Sequence, residues 1–129
     1  MPSTLIHRHT ATVKETARQL GFDHCGITKA GFLDQEAPRL EEWLKAGHHG
    51  KMGYMENHFE KRLDPSRLVE GAKSVVSLVY NYFPENPLPK DQYYKLARYA
   101  YGKDYHFVIK DKLKEFLYIL REKIGDIQI

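Results

Sequence analysis

One cysteine, Cys25, stands in a chain of 129 residues. That excludes an internal disulfide framework and any iron–sulfur cluster held by four thiolates of this chain alone, and it fits a reducing, cytoplasmic compartment. No segment approaches the ~20 consecutive apolar residues of a membrane span, and the first ten residues lack the apolar core of a signal peptide. The phosphate-cradling glycine loops, the two-histidine zinc helix, the nucleophile elbow and the C-x-x-C pair are also missing. Charge of one sign is scarce as well. The net charge is +3, with lysines and glutamates interspersed, which permits contact with a phosphate backbone without predicting nucleic-acid binding.

What is present reads as a folded chain. Hydrophobic residues make up 42% and charged residues 29%, an ordinary globular balance that argues against disorder. The length suits a single domain over 1–129, able to bury roughly two-thirds of the surface its unfolded chain exposes.

Thr12-x-x-Glu15 has the form of a capping box, with Val13, Ala17 and Leu20 at helical spacing and Gly21 as the stop. Phe22 to Ile27 reads as a short strand. Pro38 suits the first turn of a second helix, whose Leu40, Trp43 and Leu44 share a face and whose end is marked by Gly47. Residues 48–71 read as short helical pieces. Met52, Met55 and Phe59 share a face there, and Asp64-Pro65 restarts the chain. Ser74 to Tyr82 is the clearest strand, apolar on both sides, which predicts a central position covered on both faces. Pro84, Pro87 and Pro89 mark an extended loop, and the alternation from Tyr93 to Ala100 predicts a further strand. From Tyr105, the residues Ile109, Leu113, Phe116, Leu117, Leu120 and Ile124 form one apolar helical stripe. Asp126 to Ile129 read as the start of a strand that stops abruptly, as in a truncated chain.

The densest chemistry lies at residues 97–106, Ala-Arg-Tyr-Ala-Tyr-Gly-Lys-Asp-Tyr-His. The cluster falls where a strand is expected to turn into the N-terminus of the last helix, whose N–H groups and positive dipole end favour anionic or acceptor-rich ligands. Asp104 suits the N-cap position by itself. His106 falls in the first helical turn, where the dipole opposes a positive charge and a neutral ring is free to hydrogen-bond a ligand. Arg98, inside an aromatic segment, requires an anionic partner, either Asp104 or a ligand. Lys103 flanks the same turn. The tyrosines Tyr80, Tyr82, Tyr99, Tyr101 and Tyr105 serve equally as core and rim or as faces for a large flat ligand.

His48, His49 and His58 lack the spacing of a metal site, with Glu56 the one obvious partner, so a structural or surface role is expected. Cys25, beside Gly26, reads as a small buried hydrophobe. Asp104-x-His106 echoes the D-x-H-x-x-G signature of proteins that ligate cobalt through histidine. The glycine position is Ile109, and no metal ligand is assigned.

The string A-R-Y-A-x-G-x-D-Y-H resembles the signature of the N-terminal domain of epoxyqueuosine reductases, the cobalamin and iron–sulfur enzymes of tRNA queuosine synthesis. Six further blocks stand in family order. They are G-F-D-H-C-G-I-T at 21–28, L-E-E-W-L at 40–44, H-G-K-M-G-Y-M at 49–55, R-L-D-P at 62–65, G-A-K-S-V-V-S at 71–77 and N-Y-F-P at 81–84. Glu70 replaces an expected proline, and Tyr101 stands where an arginine is common.

The resemblance implies an α+β fold with a mixed β-sheet flanked by helices, similar to the nitroreductase-like N-terminal domain of corrinoid reductases. It implies the N-terminal, cobalamin-binding part of a longer enzyme that reduces epoxyqueuosine to queuosine at the tRNA wobble position. Two 4Fe–4S clusters and a D-S-A-P segment with the proton donor would lie beyond Ile129, so the fragment alone is expected to be inactive. By the same resemblance Asp104 and His106 carry the active-site turn. Arg98, Tyr99 and Tyr105 contact the corrin with them, and Ser77, Asn81 and Tyr54 contribute to cofactor binding. The partner is a tRNA anticodon loop and not a membrane, and a monomer is expected. Two other readings compete: an RNA-binding module that stacks bases on its aromatics, and an interaction domain without a ligand.

Overall fold

The computed structural model describes residues 2–86, 89, 91 and 94–127. In chain order it contains α1 (Pro2–Gln19), β1 (His24–Lys29), α2 (Glu36–Lys45), α3 (Phe59–Leu63), α4 (Pro65–Leu68), β2 (Ser74–Val79) and α5 (Tyr105–Ile124). Short 3-10 turns occur at Gly53–Glu56 and Arg98–Ala100. The architecture is α+β. Two compact units are resolved, one formed by Met1–Gly26 with Ser77–Gln128, the other by Ile27–Val76.

In the first unit α1 begins at Pro2, ten residues before the expected start. Thr12 is an interior residue whose hydroxyl donates to the Arg8 carbonyl at 3.0 Å, a bond that lets threonine sit inside a helix as well as cap one. Glu15 turns forward to Arg18 instead of back to Thr12. The other end is as expected. Gly21 takes φ +84°, its N–H reaches the Arg18 carbonyl, and the Phe22 N–H reaches that of Ala17. These paired bonds close the helix and require a residue at ease with positive φ. The Leu20 carbonyl accepts from Lys112 Nζ of α5 at 2.6 Å.

The core of this unit is Ala17, Phe22, Phe116 and Leu120, with Val13, Leu20, Cys25, Leu78, Tyr80, Ile124 and Ile127 packed against it. Phe22 meets Tyr80 and Phe116 edge to face, at centroid distances of 6.1 and 6.3 Å. Each such ring contributes about 1.5–3 kcal/mol by leaving water. Burial also raises the Cys25 thiol pKa, against a smaller opposing pull from Lys14, in keeping with its reading as a small hydrophobe.

The expected mixed sheet is not what the described residues form. β1 and β2 make a two-stranded sheet, antiparallel because the Asp23 N–H meets the Val79 carbonyl while the Ala30 N–H meets that of Lys73. β2 therefore has one strand neighbour here rather than a central position, and Val76 and Val79 are exposed. The strand expected over Tyr93 to Ala100 is also corrected. Tyr93 lies outside the described residues, as do Pro87, Gln128 and Ile129. Tyr94 to Ala97 have no regular structure, and Arg98–Ala100 form the 3-10 turn. Alternation alone does not make a strand without a neighbour to take its N–H and C=O groups. Asp126 and Ile127 are likewise irregular.

The second unit follows the expected run of short pieces. Its α2 ends at Gly47, φ +70°, with the same paired bonds to Leu44 and Trp43 that close α1. Asp64 caps α4, accepting from both the amide and the hydroxyl of Ser66, with Pro65 in the first position. Those bonds hold the Asp64 carboxyl below its ordinary pKa. Arg62 donates to the carbonyls of Asn57 and Tyr54, fastening the 3-10 turn to α3. Leu63 is the buried hydrophobe of this unit.

Candidate functional site

Asp104 opens α5. Its Oδ1 accepts from the His106 backbone N–H at 2.9 Å and lies 2.8 Å from His106 Nδ1. The cap fixes where the helix starts and therefore where residues 105 and 106 point. The two bonds from His106, backbone first and then ring, hold the Asp104 carboxyl below its ordinary pKa. The His106 ring stacks on Tyr105, centroids 4.1 Å apart and planes inclined by 26°.

From there an aromatic ladder runs through the first unit. Tyr105 meets Tyr99 edge to face at 6.1 Å, and Tyr99 meets Tyr82 at 6.5 Å. Tyr99 belongs to the 3-10 turn, and Tyr82 follows β2. The ladder is an open wall, with Tyr82 and Tyr99 61% and 53% exposed. Edge-to-face contacts fix the angle of each ring, so three phenol faces are held at set inclinations without being buried.

Arg98 departs from expectation. Its guanidinium lies over the Phe83 ring, 4.2 Å from the centroid, so an aromatic face takes the place of the anion. That is possible because the segment is an exposed turn rather than a buried strand, leaving the charge partly in water. Lys103 Nζ is 3.8 Å from Asp111 Oδ2, at the outer limit of an ion pair.

The structure thus brings together Arg98, Tyr99, Asp104, Tyr105 and His106. Asn81 is near them in the chain path but occupied: its Oδ1 accepts from the Phe83 N–H at 3.0 Å. It shapes the turn that presents Tyr82 and Phe83. Ser77 stands exposed on β2, with no side-chain hydrogen bond among the described residues. Tyr54 belongs to the second unit, where its hydroxyl donates weakly to Met52 Sδ at 3.4 Å.

Sequence reasoning missed Phe83, the platform under Arg98, and Asp23. The Asp23 carboxylate accepts from the Asn81 N–H at 2.7 Å, while its own N–H joins the β-ladder. The signal for both was at hand in the G-F-D-H and N-Y-F-P blocks. No local rule pairs residues 58 positions apart.

Among the histidines of the second unit, His49 is buried against Trp43 and pairs with Glu56 through Nε2 at 2.9 Å, the structural one of the two roles, structural or surface, expected for these histidines. His58 takes φ +58°, unusual for a residue with a side chain. Two hollows also lie in this unit. One is lined by His58, Phe59, Glu60, Lys61 and Arg67, the other by Glu41, Leu44, Lys45 and Phe59. Glu60 and Arg67 already pair at 3.2 Å, and neither hollow includes a residue of the ladder.

The family model for epoxyqueuosine reductase QueG, DUF1730, matches residues 62–129, just over half of the chain and the whole of the ladder and cap. The chain is 63% identical over 123 residues to the epoxyqueuosine reductase of Cyclobacterium marinum and 58% identical over 119 residues to that of Leadbetterella byssophila. These matches cover 95% and 92% of this chain but only 40% and 39% of the relatives, so the chain spans about two-fifths of their length. A selenomethionine-labelled epoxyqueuosine reductase superposes with a TM-score of 0.79 at 29% identity, covering 95% of this chain and 34% of that one. An epoxyqueuosine reductase solved with an epoxyqueuosine-modified tRNA-Tyr stem loop superposes at 0.75 and 28% identity, covering 92% and 32%. With the family model covering just over half of it and its fold shared along nearly the full length, this chain belongs to the epoxyqueuosine reductase family.

Proposed function

We propose that this chain is the corrin-binding part of an enzyme that reduces epoxyqueuosine to queuosine in tRNA, acting as a cytoplasmic monomer. In the full-length protein its two strands would belong to a larger, nitroreductase-like mixed sheet. The observation that carries this reading is the open wall of Tyr82, Tyr99 and Tyr105 ending at the Asp104–His106 cap.

The donor set fits cobalamin. A corrin is broad and largely apolar, with carboxamide groups at its edge. Phenol rings offer it faces for contact and hydroxyl tips for its polar edge, while Arg98 donates without needing an anion. When bound, cobalamin supplies the reducing power for the epoxide carbon. The chain's own part is to seat the cofactor against the tyrosine faces and to hold polar groups at the α5 N-terminus. The residues do not fit an iron–sulfur cluster, because one cysteine supplies at most one thiolate of the four required.

The test is a cobalamin titration of the full-length protein carrying this chain, followed by corrin absorption. Tyr99→Ser, which breaks the ladder at its middle rung, is expected to weaken binding roughly tenfold, about 1.4 kcal/mol. Equal affinity in wild type and variant would remove the ladder from the cofactor site. Salt-sensitive RNA affinity without corrin binding would favour the base-stacking reading instead.

A further inference from the structure

The two bonds at Asp104 determine more than the start of a helix. An ionised carboxylate accepts hydrogen bonds and donates none. Both partners of Asp104 Oδ1 must therefore bring the proton: the His106 backbone N–H at 2.9 Å and the ring nitrogen Nδ1 at 2.8 Å. A neutral imidazole carries a single N–H, so with that proton on Nδ1 the other nitrogen, Nε2, is left as a bare lone pair. The ring has little freedom to escape this arrangement. One edge is tied to the cap and one face lies on Tyr105. The His106 side chain is nevertheless 64% exposed, so a ligand can reach the ring.

We propose that Asp104 is a positioning residue that holds His106 as the Nδ1–H tautomer, so that Nε2 meets the ligand as a hydrogen-bond acceptor. The group recognised there is an amide or hydroxyl donor rather than an anion. This rests on the proposed cofactor reading, in which the donor is a carboxamide N–H at the corrin edge. The backbone N–H groups of His106, Phe107 and Val108 are all taken by Asp104, which leaves the imidazole Nε2 as the polar atom this turn offers.

The experiment is two-bond 1H–15N correlation spectroscopy of the imidazole rings at pH 8, above the ordinary histidine pKa of about 6.5. It is run on the full-length protein carrying this chain. His106 is expected to show a protonated Nδ1 and an unprotonated Nε2, whereas an unconstrained histidine prefers the opposite form. Asp104→Ser keeps a helix cap but is too short to hold the ring, so His106 should revert to mainly Nε2–H with the helix intact. Asp104→Asn, whose amide oxygen accepts the same two bonds, should restore the Nδ1–H form. A wild-type ring in the unconstrained form, or one unchanged by Asp104→Ser, overturns the proposal. Cobalamin is then added. A shift of the Nε2 resonance with the proton still on Nδ1 supports the acceptor role, and a proton moving to Nε2 overturns it. A locked tautomer with no cobalamin binding at all means that the cofactor reading has failed while the positioning role of Asp104 stands.

Discussion

Within α5, the core-facing residues of the second half and the aromatic residues of the first turn are treated oppositely, while Tyr118 of the second half stands exposed. Phe116 and Leu120 are 4% exposed and close the core against Ala17 of α1 and Phe22. Tyr105 and Phe107, two turns and more toward the N-terminus, remain 38% and 60% exposed. One helix thus supplies stability at one end and presents side chains at the other. The division follows what lies opposite. The second half faces α1 across the core, whereas the first turn is met by the edges of the tyrosine ladder and by its own cap. Tyr105 has one face on the His106 ring, while Tyr82 and Tyr99 stay more than half exposed, and exposed ring surface is what a flat ligand requires.

The sharpest way to break this comparison is Phe116→Ala. Removing a fully buried ring is expected to cost about 3–5 kcal/mol, read as a lower midpoint in urea unfolding. If the midpoint held, the second half of α5 would not carry the core.

A smaller effect tests the cap. The Asp104 carboxyl is depressed in the folded chain, so the native state binds fewer protons there than the unfolded one. Its contribution is present above the ordinary aspartate value of about 3.9 and is lost as pH falls through the lowered folded value. Asp104→Asn keeps a cap without the charge. It is expected to melt a few degrees below wild type at pH 7, with the two curves converging as pH falls through the lowered Asp104 value. A gap that stayed constant with pH would separate the cap from its ionisation.

The smallest effect belongs to Phe107→Ala. An exposed ring outside the ladder should change stability by no more than about 0.5 kcal/mol, so the thermal midpoint should stay close to that of wild type. A large drop would show that the first turn also packs, and the contrast between the two ends would fail.

Elements governed by local rules were legible in the chain. The stripe from Ile109 to Ile124, the glycine closures at Gly21 and Gly47, the proline-started turn at Asp64-Pro65 and the cap at Asp104 each depend on residues within five positions of one another. Features needing a distant partner were read less well. The segment ending at Ala100 alternates like a strand but has no strand beside it among the described residues. Thr12 suited both a cap and a helix interior, and the uninterrupted helical residues before it decided for the interior. Arg98 was expected to find an anion, and it found the ring of Phe83. The candidate cluster itself was legible because five of its members fall within nine residues of sequence.

The sequence by itself determined the course of α5 and its cap at Asp104, the closures at Gly21 and Gly47 and the family resemblance, because periodicity, capping chemistry and block order are written within short stretches of chain. The start of α1 and the expected cap at Thr12, by contrast, were misread. Only the tertiary structure decided which rings stand open and which are buried, that Asp23 braces Asn81, and that Asp104 holds the His106 ring as well as its backbone. Burial and side-chain pairing depend on what the folded backbone brings alongside, and no spacing along the chain encodes that distance.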